Sequence, residues 1–246
     1  MRKLDDLFPP HLHAVTDYSV HGIAVLPAHY PIPTHSREEA EPAGSDTQPR
    51  PELFSCSCQQ PTCPDPARHP IGTPSLDGAT TDISRLARAW TWNTTANIAA
   101  PTGHTFDTLR LHHPTTSHPH DLLTWLAATK ITIGPTIHAP GPSGYLELLI
   151  QPSDRNDTDL PPSTSQFQLH YAGRDALTLL PPSRLLDGTE LLWLRPLDGE
   201  PLPTSQRLLD ALSRLPTVPQ LTAWATARCT AHPTGPIRQE TRPEPA

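Results

Sequence analysis

Proline is the residue that most restricts what this chain can become. It occupies 33 of the 246 positions, against an average usage of about 5%. A proline fixes φ and has no backbone N–H, so helix interiors and central strands exclude it. The prolines must therefore gather in connections and at the ends. Only 35% of the residues are hydrophobic. The reading is one compact core of roughly two thirds of the chain, surrounded by long irregular segments.

Charge says little about partners. A net charge of −7 and a pI near 6.0 argue against a generally basic surface. Lys3 and Lys130 are the only lysines among 18 cations. A local arginine groove for phosphate remains compatible with that usage. No stretch reaches the ~20 apolar residues that cross a bilayer, and no apolar leader follows Met1. The expected location is the cytoplasm, where thiols stay reduced.

The segments then order themselves. Residues 1–30 form an N-terminal helix and strand of the domain, with the helix beginning near His11. Residues 31–52, rich in Pro, Glu, Ser and Thr, make a flexible loop. The core spans 53–215, a short helix lies in 216–232, and 233–246 is a disordered tail. Within the core, helices are expected at Asp82–Trp92, Asp121–Thr129 and Ser205–Leu215. Strands are expected at Asn97–Ala99, Thr105–Leu111, Thr132–His138, Tyr145–Gln151, Gln166–Tyr171, Ala176–Leu180 and Glu190–Arg195. This alternation implies an α+β domain around one mixed sheet.

The chemistry-bearing signal is Cys56, Cys58, Cys63 and His69, spaced Cys-x-Cys-x4-Cys-x5-His. Three thiolates and an imidazole suit tetrahedral zinc, and four protein ligands leave no open position, so the site is structural. Pro61, Pro64 and Pro66 stiffen this zinc-binding loop, residues 56–69, and reduce the entropy lost on closure. Cys229 stands apart and reads as a small buried residue. Among His112, His113, His118 and His120 the histidines read as a polar loop. Trp90, Trp125 and Trp193 read as core. Neither a nucleotide-binding glycine pattern nor a nucleophile elbow is present.

Several motifs occur in one order: CSCQQPTCPDPARHP from Cys56, ATTD at Ala79–Asp82, Trp90 and Trp92, and ANIAAPTG at Ala96–Gly103. HAPGPSGY at His138–Tyr145 and LHYAGRDALTLLPPSRLLDGTELLWLRP at Leu169–Pro196 follow. In this order the chain resembles the bifunctional DNA primase/polymerase (prim-pol) family of bacteria, in a divergent actinobacterial form, over roughly residues 10–215. The resemblance implies a prim-pol-like domain with an RRM-like part. It also implies template-directed nucleotide addition with Mg²⁺ or Mn²⁺.

Active members of the family supply two aspartates separated by one apolar residue, a histidine after a Ser-Gly turn and a later third aspartate. Aligned on these motifs, Arg110 and His112 stand at the acidic pair, Glu147 near the histidine and His170 at the third acid. An arginine repels a divalent cation, and Mg²⁺ wants oxygen ligands. The expectation is a domain that keeps the fold, has lost the chemistry, and binds DNA or nucleotide in a replication or mobile-element setting. Its nucleic-acid-binding candidates are Ser143, Arg174, Ser183 and Arg184.

Two alternatives stay open. An active primase-polymerase would use Asp107, Glu147 and His170 at its catalytic site, with Asp175 as a further relocated acid, provided that the carboxylates converge. A protein-interaction module would suit the acidic net charge and the proline-rich ends.

Overall fold

The computed structural model describes residues 10–34, 53–72, 75–112, 119–141, 144–153 and 168–214. The helix expected at Gln220–Ala227, Cys229, His113, His118 and Ser143 lie outside the described residues. In chain order the elements are α1 (Pro10–Val20), β1 (Leu26–Ala28), β2 (Pro31–Pro33), β3 (Phe54–Cys56), α2 (Ile83–Trp92), β4 (Asn97–Pro101) and β5 (Asp107–His112). They continue with α3 (Pro119–Ala128), β6 (Thr136–Ala139), β7 (Tyr145–Ile150), β8 (Gln168–Ala172), β9 (Leu177–Leu180), β10 (Leu192–Arg195) and α4 (Ser205–Leu212).

Local chemistry sets the boundaries. The Asp82 carboxylate accepts the Arg85 N–H at 3.0 Å and caps α2. From there Leu86 and Trp90 reach the core. Ile83 is exposed at the first turn, beside Leu12 and Val20 of α1 along an open groove. Pro135 shortens β6 from its expected start at Thr132. It has no N–H to give a ladder, although its carbonyl still accepts the Leu149 N–H at 2.9 Å.

The expected mixed sheet is corrected to three antiparallel ones, of order β1-β4-β9, β10-β6-β7-β5-β8 and β2-β3. Two strands running the same way, β5 and β6, are joined through α3 but do not pair. Instead β7 lies between them and runs against both. That insertion turns what would be a parallel pair into two antiparallel ones.

Strand alternation gives the five-stranded sheet two different faces. Leu109, Leu111, Leu146, Leu148 and Ile150 point to one side and pack with Leu122 and Leu126 of α3 and Leu208 and Leu209 of α4. The other side carries Ile137, Ala139, Tyr145 and Leu149, which join a second cluster with Val15, Tyr18, Ile98, Leu179 and Trp90. On this side β5 places Thr108, Arg110 and His112.

The family-like motifs of the late strands serve this packing. Ser183 is fully buried, and its hydroxyl lies 2.8 Å from the Ile98 N–H and 3.2 Å from the Ile98 carbonyl. Asn97 accepts the Arg184 N–H at 2.8 Å and donates to the Arg184 carbonyl at 2.7 Å. Gly103 has a φ of +92°, and a Cβ there would fall on the Arg174 backbone. The chain can turn at that point only without a side chain.

Candidate functional site

Metal-type ligands converge at the end of β3. The ligand atoms of Cys56, Cys58, Cys63 and His69 lie within 4.8 Å of one another. Sulfurs around tetrahedral zinc, at Zn–S of about 2.3 Å, stand ~3.8 Å apart, so the group fits a metal with a small contraction. Cys56 Sγ lies 3.5 Å from His69 Nε2 and accepts the Ala67 N–H at 3.2 Å. The Gln60 N–H holds the Cys58 thiol down to about 7. Desolvation and the neighbouring cysteines push Cys63 up to about 11. A divalent cation would remove that conflict by ionising all three thiols.

The surroundings orient the histidine. The His29 ring lies over His69 with centroids 4.3 Å apart, and its Nδ1 is 2.9 Å from Ser57 Oγ. The His29 N–H donates to the His69 carbonyl at 2.9 Å. A metal ligand held by fixed neighbours is the usual arrangement.

A second group forms where the five-stranded sheet faces the inner cluster. Glu147 on β7 pairs directly with Arg110 on β5, and Arg110 pairs with His170 on β8. The residues aligned with the family's catalytic set therefore occupy one row across three strands, with His112 on the same face. Glu147 is almost completely buried. It accepts the Thr108 hydroxyl at 2.8 Å, the Thr178 hydroxyl at 2.7 Å and Arg110 Nη2 at 3.2 Å to each oxygen.

A second arginine, a tyrosine and a histidine stand around the pair. The Arg110 guanidinium lies 4.6 Å from the Tyr145 ring centre, and that of Arg68 lies 5.9 Å from it. Arg68 Nη2 also reaches the Tyr145 hydroxyl at 3.5 Å. The His112 ring sits 5.5 Å from Tyr145. Burial first, then Arg110, His170 and Arg68, hold the His112 pKa below its usual value. Burial pushes the Tyr145 phenol up, and Glu147 adds to that shift.

The expected acids do not converge. Asp107 is fully buried on the opposite face of β5 from Arg110. One of its oxygens takes the Tyr171 hydroxyl and the Ser153 N–H, the latter at 2.7 Å. Its other oxygen has no partner among the described residues. Asp107 and Glu147 thus point away from each other across the sheet, and Asp175 stands exposed on the turn between β8 and β9.

The remaining candidates are dispersed. His170 is exposed on β8. Arg174 is exposed on the turn after β8, and exposed Arg184 pairs with Glu190 at 3.6 Å. Ser183 is buried and ties the segment after β9 to strand β4. Sequence reasoning missed Arg68, Thr108, Tyr145 and Thr178. Arg68, Tyr145 and Thr178 lie within quoted motifs, but only long-range packing brings Thr108 and Thr178 to Glu147.

The chain is thus an antiparallel α+β domain with a Cys₃His cluster and a row of charged residues across one sheet. The family model for the bifunctional DNA primase/polymerase, N-terminal domain (Prim-Pol) matches residues 15–205, and the chain belongs to that family. No curated protein matches it. Among the described residues no helix is long and apolar enough to cross a membrane.

Proposed function

We propose that this Prim-Pol domain no longer carries out two-metal nucleotide addition and instead binds the phosphate of a nucleotide or nucleic acid. The observation that carries the reading is the Arg110–Glu147 ion pair. It stands in the row aligned with the family's metal-binding residues. A two-metal centre holds ions about 3.5–4 Å apart between several carboxylates. Here the one carboxylate in the row is taken up by a guanidinium and two threonine hydroxyls.

What remains at the site favours anions. Arg110 and Arg68 flank Tyr145, with His112 and His170 near them. Arginine offers paired donors to phosphate oxygens. Arg174 and Arg184 are further candidate phosphate contacts at exposed positions. The strand order β8-β5-β7-β6, with β5 and β6 joined through α3, supports the RRM-like part of the reading. The Cys₃His group supports a structural zinc that fixes residues 56–69. A replication or mobile-element setting follows from the family alone.

The test is anisotropy of single-stranded DNA with the full chain over a salt series. The expected result is saturable binding that weakens with salt, and weakens further in Arg110→Gln and in Arg174→Ala/Arg184→Ala. Unchanged binding in all these variants contradicts the assignment of these arginines. Absence of any binding to DNA or nucleotides would instead favour a protein-interaction module.

A further inference from the structure

Arg68 belongs to two sites at once. Its neighbour His69 is a metal-type ligand, and its guanidinium touches Tyr145 in the sheet site. The backbone between them is held from both directions. The Ala67 N–H donates to Cys56 Sγ at 3.2 Å, and the Ala67 carbonyl accepts Asn97 Nδ2 at 2.9 Å. Ala67 is fully buried with a φ of +61°, a conformation that costs energy for an alanine and needs support around it. Cys56 and His69 supply part of that support on either side of it.

We propose that the Cys₃His loop delivers Arg68 to the Arg110–Tyr145 site as a second phosphate-contacting residue, so that metal occupancy and anion binding are linked. This inference rests on the phosphate-binding reading of the sheet site. With metal bound, the loop fixes residues 67–69 and holds Arg68 over the Tyr145 ring. Without metal, that segment loses its anchor and Arg110 acts alone. The charged groups that meet in the site are Arg68 and Arg110, balanced by Glu147 and by Asp65 of the same loop, with His112 and His170 beside them. Linkage is reciprocal: the anion must raise metal affinity by the factor by which metal raises anion affinity.

The experiment compares zinc-loaded and chelator-treated full-length protein in two ways. The first follows the Arg68 Nε–H by NMR, assigned from an Arg68→Lys spectrum. The second measures anisotropy of a 5′-phosphorylated single-stranded DNA. Zinc removal is expected to shift the Arg68 signal to that of a free arginine and to weaken DNA binding about tenfold, within the ordinary range of coupling. Zinc-loaded Arg68→Ala, or Arg68→Gln if the alanine variant does not take up zinc, is expected to bind like the metal-free protein and to lose its response to zinc.

An Arg68 signal indifferent to zinc overturns the linkage, as does DNA binding equal with and without metal. In either case the phosphate-binding reading stands. If Arg68 responds to zinc but no form binds the DNA, the reading of the site falls and Arg68 loses its assigned ligand with it.

Discussion

Arg110 and Glu147 face each other directly across strands β5 and β7, joined at 3.2 Å with both side chains largely buried. A buried ion pair contributes little to stability by itself, because each charge has lost its water. Its effect here is on chemistry. The guanidinium lies against both carboxylate oxygens of Glu147, and the Thr108 and Thr178 hydroxyls both donate to its Oε1.

Removing one partner of this pair leaves the other buried and uncompensated. Glu147→Leu and Arg110→Met are each expected to cost about 3–5 kcal/mol. The double variant is expected to cost less than either single change, because no orphan charge remains. Chemical denaturation of the three variants checks this. Additive losses would contradict it.

Ser183 is expected to matter for stability and not for ligands. Ser183→Ala removes a buried hydroxyl bonded to Ile98 and should cost about 1–3 kcal/mol. DNA affinity should stay within error of the parent. A selective loss of affinity with unchanged stability would contradict the buried role.

Gly103→Ala combines a positive φ with a collision against the Arg174 backbone. The expected loss is more than the ~1 kcal/mol of an ordinary glycine substitution, read as a lower denaturation midpoint. A neutral outcome would contradict the turn geometry.

His112 gives a pH dependence with a definite sign. Its pKa is lowered in the fold, so below the ordinary value near 6.5 the unfolded chain binds the proton more readily. The stability this neutral histidine contributes is present above that value and is lost as pH falls through it toward the folded pKa. Denaturation midpoints should therefore fall as pH is lowered from 7 towards 5, less steeply in His112→Gln. An identical slope in the variant would remove His112 as a contributor.

Chelation is expected to lower the melting temperature and to expose the loop carrying Cys56, Cys58, Cys63 and His69 to proteolysis. Zinc should restore both, with one ion per chain. A chain that melts identically with and without metal would contradict a structural role for the cluster.

Much of this was legible in the sequence for physical reasons. The Cys₃His spacing is local, so four ligands within fourteen positions could be recognised without a fold. A helix starting at Asp82 and Trp90 as core follow from short-range pattern, and β5 and β7 from strand alternation. Register and sheet assignment are long-range and were not legible. Nothing near Ser183 in sequence announces its bonds to Ile98, eighty-five residues away. Thr178 reaches Glu147 only because two sheets pack face to face. Prolines mark where elements stop, as at Pro135, but not which strands then meet.

The most direct test of the central claim is primer extension and de novo priming by the zinc-loaded full chain, with Mg²⁺ and separately with Mn²⁺. Asp107→Ala and Glu147→Gln serve as controls. The account predicts no incorporation above background by a folded protein that still binds single-stranded DNA. Template-dependent incorporation that Glu147→Gln abolishes would contradict it and make the Arg110–Glu147 pair part of a working polymerase site.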